Sequence, residues 1–254
     1  MLELDLFYNQ SMKSISRLLI GLSLALFLPA VTCGQEPWDV RKIFLTTDET
    51  EVRFFNKKGN TVRIFARSYI REILNVWDRI QEISSYRSVL KFTTGSAPNA
   101  YAGKSGGEKI VVVNFAMIEL LETDFDAWAG LLGHEIAHLK LNHQRAALKR
   151  KIPLKIVDWL IDRSDPSKAV DFAGSLLTNS IDMNYSRKHE RESDYSGTVW
   201  AYQAGYDPMG TVRLHEALAK QGQVGTVPFL RSHPSSEERV QSLTTLARKL
   251  KSRK

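Results

Sequence analysis

The stretch Gly133-His134-Glu135-Ile136-Ala137-His138 constrains this chain more than any other. It lies in a segment with helical periodicity, where residues four apart share a face one turn from each other. His134 and His138 can therefore offer two imidazoles to one metal ion. Glu135, about 100° round the helix from His134, lies near the ion without being obliged to bind it. Two ligands and a neighbouring carboxylate are the parts that metal-assisted hydrolysis needs: the carboxylate takes a proton from an activated water.

A third ligand must come from elsewhere. The extended pattern that puts a further histidine on the same segment requires Gly and His where this chain has Leu141 and Gln144, so that pattern fails. A carboxylate from another helix is the remaining option, and Ser186 to Asp194 supplies candidates. Glu190 and Asp194 are four apart and share a face; Glu192 stands about 160° from Glu190. If Glu190 reaches the metal, Asp194 can accept a hydrogen bond from the far nitrogen of a ligand histidine, which fixes the ring. On spacing alone both Glu190 and Glu192 stay open as the third ligand. On an ideal helix His143 is about 180° from His134 and should pack or face solvent rather than share the metal. His189 adjoins the candidate ligand but points elsewhere. His215 carries no motif, and His233 before Pro234 reads by itself as an ordinary loop histidine.

The rest of the chain predicts an α+β, mainly helical fold. A short strand is expected at Val52–Phe55, an amphipathic helix from Thr61 to Ser85 and a strand over Val89–Thr94. Asn99–Val113 reads as a hairpin around Gly103, Gly106 and Gly107. With no Walker pattern and no helix starting at that turn, a phosphate cradle is not expected. A short helix follows at Phe115–Leu121. Thr123 or Asp124 should cap a longer one from Phe125 to Leu148, bounded by Pro153. Ile156–Ile161, beside the basic Lys149-Arg150-Lys151, reads as core by default, with a membrane-surface or site-covering role as the alternatives. Asp165-Pro166 is a break. Further helices are expected over Val170–Ile181, Asn184–Ala204 (closed by Gly205 with Pro208 beyond), Thr211–Lys220 and Glu237–Lys251.

Of 254 residues 43% are apolar and 25% charged, which excludes wholesale disorder and allows one real core. The net charge of +7 is spread out apart from the 149–151 run and the tail, so it reads as a solvated surface rather than a nucleic-acid site. Attraction to anionic membrane surfaces is a middle option. Lys13 and Arg17 precede an apolar run from Leu18 to Leu28 that is too short to span a bilayer, so residues 1–34 read as an export signal with Met12 as its start. The only cysteine, Cys33, stands at its end. Ordinary cleavage there and lipid anchoring through Cys33 are the two readings, and neither leaves an internal disulfide. Residues 35–254 then form a single domain without a transmembrane helix, exported to the periplasm or cell envelope.

His134-Glu135-Ile136-Ala137-His138, followed by Tyr185-Ser186-Arg187 and Glu190-Arg191-Glu192-Ser193-Asp194, resembles the CAAX-prenyl-protease/HtpX-type zinc metallopeptidases. Asn99-Ala100-Tyr101, Ala204-Gly205-Tyr206-Asp207-Pro208 and Ser232-His233-Pro234-Ser235-Ser236-Glu237-Glu238-Arg239 resemble further segments of that family, in its order. The likeness runs from about Tyr69 to Leu246 and is strongest to short periplasmic or lipoprotein-type members. It implies a zincin-like domain with a hairpin beside the active-site helix. It implies one zinc per chain on His134, His138 and Glu190, Glu135 as general base, and Asp194 hydrogen-bonded to a ligand histidine. His233 matches a histidine that stabilises the oxyanion or gates the site by transient ligation. Arg239 matches an arginine near the cleft, placed with Asn99, Ala100 and Tyr101 among the substrate contacts. Ser193 departs from the family's usual alanine. The partners implied are polypeptides, added as a strand to the hairpin, which suits quality control of unfolded envelope proteins. A zinc-containing, chaperone-like protein with a hidden site is the rival. The oligomeric state and the natural substrate stay open.

Overall fold

The site helix is apolar on nearly every face, so it can be stable only at the centre of a fold. The computed structural model describes residues 37–47, 50–151, 185–222 and 227–252, the side chains of 148–151 excepted. These residues fall within one compact unit, Cys33–Lys254. The expected signal over 1–34 with Cys33, the Ile156–Ile161 stretch, the Asp165-Pro166 break and the Val170–Ile181 helix lie outside them.

In chain order the described elements are β1 (Trp38–Asp39), α1 (Val40–Thr46), β2 (Glu51–Phe55), β3 (Thr61–Ala66), α2 (Arg67–Ser84), β4 (Val89–Thr93), β5 (Ala100–Ser105), β6 (Glu108–Asn114), α3 (Phe115–Leu121), α4 (Phe125–Lys140), α5 (His143–Lys151), α6 (Arg187–Gln203), α7 (Met209–Lys220), α8 (Pro228–Ser232) and α9 (Glu237–Lys251). The α+β, mainly helical class read from the sequence is the class observed. One sheet has the order β1-β4-β6-β5; β2 and β3 form a separate two-stranded ribbon. β4 runs parallel to β6, with Val89 opposite Ile110, while β5 and β6 are the expected antiparallel hairpin, with Tyr101 opposite Val112. Its turn uses Gly106 and Gly107 at φ 55° and 79°, where a side chain would be strained. β5 is therefore a sheet edge.

Two of the boundaries that differ from the sequence reading change the account of the fold. Thr61–Ala66 is a strand, not the first turns of a helix: it pairs with Glu51–Phe55, so Val62 and Ile64 obey a period of two before Arg67 starts the helix. The strong stripe of Ile70, Ile73, Val76, Trp77 and Ile80 had absorbed the preceding residues. The second difference matters more. The helix expected to run to Leu148 stops at Lys140; Asn142 takes φ 56° and its N–H bonds the Leu139 carbonyl at 3.1 Å. Asparagine is the residue after glycine that best tolerates this left-handed cap. A new helix, α5, begins at His143.

α4 is the hub. Its N-cap Asp124 accepts from the Ala127 N–H at 3.0 Å and holds Arg213 of α7 at 2.6 Å. Loss of such a cap costs roughly 0.5–2 kcal/mol. α4 packs against α2, α6, α7, β5 and β6. Trp128 of α4 and Trp77 of α2, a helix packed on α4, are buried, and Trp38, Phe54, Phe92 and Phe115 form an aromatic group. Each side chain of this size stabilises by roughly 1.5–3 kcal/mol through burial.

Between α4 and α6 glycine faces glycine. A Cβ on Gly197 would lie 2.6 Å from the His134 nitrogen, and one on Gly133 2.8 Å from the Gly197 oxygen. Backbone meets backbone here, so neither side can yield. Gly197→Ala is therefore expected to force the helices apart, lowering stability by about 1–3 kcal/mol in chemical denaturation and weakening in parallel the binding of any metal held between them. A variant with unchanged metal affinity would show that this contact does not set the site.

Candidate metal centre

The buried stripe of α6 is Glu190, Ser193, Asp194, Gly197, Thr198 and Ala201, a helical 3–4 spacing turned towards α4. Ser186 caps the helix by accepting from the His189 N–H. With Gly197 pressed on Gly133, the carboxylates one and two turns upstream come level with His134 and His138. The resulting cluster is His134, His138, Glu190 and His233, with one ligand-type atom from each inside a span of 4.8 Å. His134 Nε2 lies 3.0 Å from His138 Nε2 and 3.2 Å from His233 Nδ1; His233 Nδ1 lies 3.2 Å from Glu190 Oε1. His138 Nε2 is 3.4 Å and His134 Nε2 3.6 Å from the Glu190 carboxylate. All four side chains are buried.

Three nitrogens and a carboxylate converging on one point make a donor set that suits zinc. Glu135 supplies a second sign of fit. It is fully buried, its two oxygens are without a hydrogen-bond partner among the described residues, and its Oε1 stands 3.6 Å from His233 Nε2. A carboxylate held that way costs several kcal/mol unless another group is meant to meet it. Burial pushes the Glu135 carboxyl up, against the opposing pull of His233 and His134.

Behind the cluster lies a network that the sequence reading had only in part. Asp194 takes His134 Nδ1 at 3.0 Å, the contact its spacing suggested. It also takes Arg239 Nε and Nη2, each at 2.7 Å, and faces His215 Nε2 at 3.7 Å. Burial alone would raise the Asp194 carboxyl; the bonds from His134, His215 and Arg239 outweigh it and hold the group well below the usual carboxylate range. For Glu190 burial is likewise outweighed, first by His233, then by His134 and Arg239, and its carboxyl is lowered. Burial pulls the His134 imidazole down, but Asp194 and Glu190 reverse this and raise it. Burial, with His134 and His233 adding to it, holds His138 well below its ordinary value.

Arg239 was expected among the substrate contacts, and the structure corrects this. The side chain is 5% exposed, and besides Asp194 it reaches Glu190 Oε2 at 3.0 Å and the Pro234 carbonyl at 2.6 Å. Its Nε, Nη1 and Nη2 are all engaged with groups behind the cluster. His143, expected to pack or face solvent rather than share the metal, is buried and stands outside the cluster; what the continuous helix of the sequence reading did not place is its position behind His138, which follows because α4 ends at Lys140. His143 Nδ1 lies 3.2 Å from His138 Nδ1, and Nε2 lies 3.2 Å from Glu192 Oε2. Burial and the neighbouring His189, whose ring stacks on it at 4.3 Å, push the His143 imidazole down to about 4. Glu192 thus stands outside the cluster, a choice between it and Glu190 that spacing alone had left open. His215, without a motif, is buried and bonds Ser235 Oγ.

Asn99, Ala100 and Tyr101 stand at the start of edge strand β5, with Ala100 buried and Tyr101 half-buried. Tyr185 was not singled out for the site; its ring lies 4.0 Å from that of His138 and 5.1 Å from that of His233. Its position just before the Ser186 cap was the available signal.

A profile described as Peptidase family M48 matches residues 69–247. The mitochondrial metalloendopeptidase OMA1 of Schizosaccharomyces pombe is 28% identical over 181 residues, 69% of this chain and 51% of that protein. Metalloprotease YcaL of Escherichia coli is 29% identical over 117 residues, 45% of this chain and 46% of YcaL. The beta-barrel assembly-enhancing protease of Yersinia pestis is 23% identical over 164 residues, 60% of this chain and 33% of that protein. The chain spans about half or less of the length of these relatives.

Proposed function

The chain belongs to peptidase family M48, a family of zinc metallopeptidases, and we propose that it is a zinc-dependent endopeptidase acting on unfolded or misassembled proteins of the cell envelope. The observation that carries the reading is Glu135: a wholly buried carboxylate with no hydrogen-bond partner among the described residues, beside a convergent set of metal-ligand atoms. A structural metal site has no use for such a group.

In this reading His134, His138 and Glu190 hold one zinc ion. Bound there, zinc supplies Lewis acidity, which lowers the pKa of water and polarises a carbonyl. Glu135 takes the proton from the attacking water and returns it to the leaving amine. His233, across from Glu135, stabilises the negative charge that develops on the scissile oxygen. Asp194 keeps His134 in the tautomer with a proton on Nδ1 and a lone pair on Nε2. The substrate adds as a strand to β5, the last strand of the sheet among the described residues, where Asn99, Ala100 and Tyr101 begin the pairing; main-chain recognition asks little of sequence. An envelope substrate is supported by the likeness to a beta-barrel assembly-enhancing protease. Export by residues 1–34, with or without an anchor at Cys33, would bring the enzyme to it.

One observation favours a second state. His233 stands in the cluster as a fourth donor, and four protein ligands close a zinc site to water. A gated, chaperone-like resting form is the corresponding alternative.

Casein cleavage by the mature protein, with and without a chelator, tests the proposal. We expect one zinc per chain, cleavage that stops on chelation and returns with zinc, and loss of stoichiometric zinc in His134→Ala. Unchanged zinc in that variant would remove His134 from the ligand set. Wild type that binds zinc and cleaves nothing would favour the gated form.

A further inference from the structure

The two histidines of the site helix are held from behind by different means. His134 donates from Nδ1 to Asp194 directly. Among the described residues no carboxylate meets His138 in that way; its Nδ1 faces His143 Nδ1 at 3.2 Å, and His143 Nε2 faces Glu192 Oε2 at 3.2 Å. The order of protons follows from the chemistry. His138 turns Nε2 to the cluster, so Nδ1 carries its hydrogen. His143 must then accept at Nδ1, which puts its own hydrogen on Nε2, facing a carboxylate that can only accept. Ser193 Oγ, 3.2 Å from His143 Nδ1, helps to fix the ring. The stacked His189 ring covers its face.

We propose that His143 and Glu192 form a positioning relay for His138, doing through an intervening imidazole what Asp194 does for His134. The relay depends on the break at Leu141-Asn142. A continuous helix would carry His143 to the far side, whereas the left-handed Asn142 returns it to within reach of the ligand. It also gives Glu192 a use that its place on α6, away from the metal, had denied it. Its carboxylate is 42% exposed, so the relay runs from the buried ligand to solvent. His143 and Glu192 touch neither substrate nor the reacting atoms; they act through the orientation and basicity of His138.

This inference rests on the zinc site proposed above, and zinc affinity, measured by competition with a chromophoric chelator, separates the two. His143→Ala is expected to weaken zinc binding about 10–100-fold, as loss of such outer contacts generally does. His143→Asn, whose amide oxygen can still accept from His138 Nδ1, should recover most of that loss. Glu192→Gln should lose less than His143→Ala and more than His143→Asn. A packing role alone would lower the stability of the zinc-free protein equally in all His143 variants and leave zinc affinity where it was. Unchanged affinity in His143→Ala, or equal losses in His143→Ala and His143→Asn, would overturn the relay while leaving the peptidase reading intact. If His143→Ala does not fold, the Asn and Gln variants decide. Wild type that binds no zinc would overturn the site reading and the relay together.

Discussion

Glu135→Gln keeps its zinc and its fold and loses peptide cleavage by about 10²–10⁴-fold, the range that a positioned general base contributes. The substitution preserves shape and removes only the ability to take a proton. It should not cost stability. The carboxylate is fully buried with neither oxygen hydrogen-bonded among the described residues, and a buried ionised group is more expensive to desolvate than a neutral amide. The thermal midpoint is therefore expected to stay level or rise, as happens where a site carries strain for function. Metal content by elemental analysis, the thermal midpoint and casein cleavage together make the check. A fully active variant would refute Glu135 as the base; an inactive variant without zinc would mean that the residue holds the metal rather than the proton.

Arg239→Ala is expected to be the most destabilising single change near the site. The guanidinium is the counter-charge for two buried carboxylates, bidentate to Asp194 and 3.0 Å from Glu190. Removing one partner of a buried ionic group leaves the other charged and unsolvated, at about 3–5 kcal/mol. Arg239→Lys keeps the charge but cannot form the planar fork, so it should fall between wild type and alanine. The measurement is denaturant unfolding of the zinc-free protein, followed by the same series with zinc. Added zinc should narrow the difference, because the ion replaces part of the positive charge that Glu190 has lost. A substrate-contact role would instead raise KM and leave stability unchanged, and that result would restore Arg239 to the cleft.

How much of this was legible beforehand differs by residue. His134, Glu135 and His138 could be read as a unit because four residues are one helical turn, whatever the rest of the chain does. The Glu190–Asp194 pair was legible for the same reason, although spacing alone did not separate Glu190 from Glu192. The hairpin of β5 and β6, the short helix α3 and the last helix were marked by alternation, caps and periodicity. The early strand β3 was misread because the stripe of α2 is strong enough to extend backwards in a periodicity count. The position of His143 behind His138 was missed through one assumption, that the site helix continues; Asn142 carried the contrary signal, as asparagine tolerates the left-handed conformation that ends a helix.

Periodicity fixes the direction in which each side chain leaves its own axis, because backbone geometry is local. It therefore determined that two imidazoles share one face, that a carboxylate stands beside them, and that a second helix offers an acid with another four residues on. It carries no distance between axes. That distance depends on the surfaces of two helices at once, and here Gly133 against Gly197 removes the side chains that would have kept them apart. Only tertiary structure decided that Glu190 meets His138, that His233 enters from the end of a five-residue helix, and that Arg239 is turned inward to neutralise two carboxylates. Each of these is a balance between the cost of desolvating a charge and the approach of a partner distant in sequence.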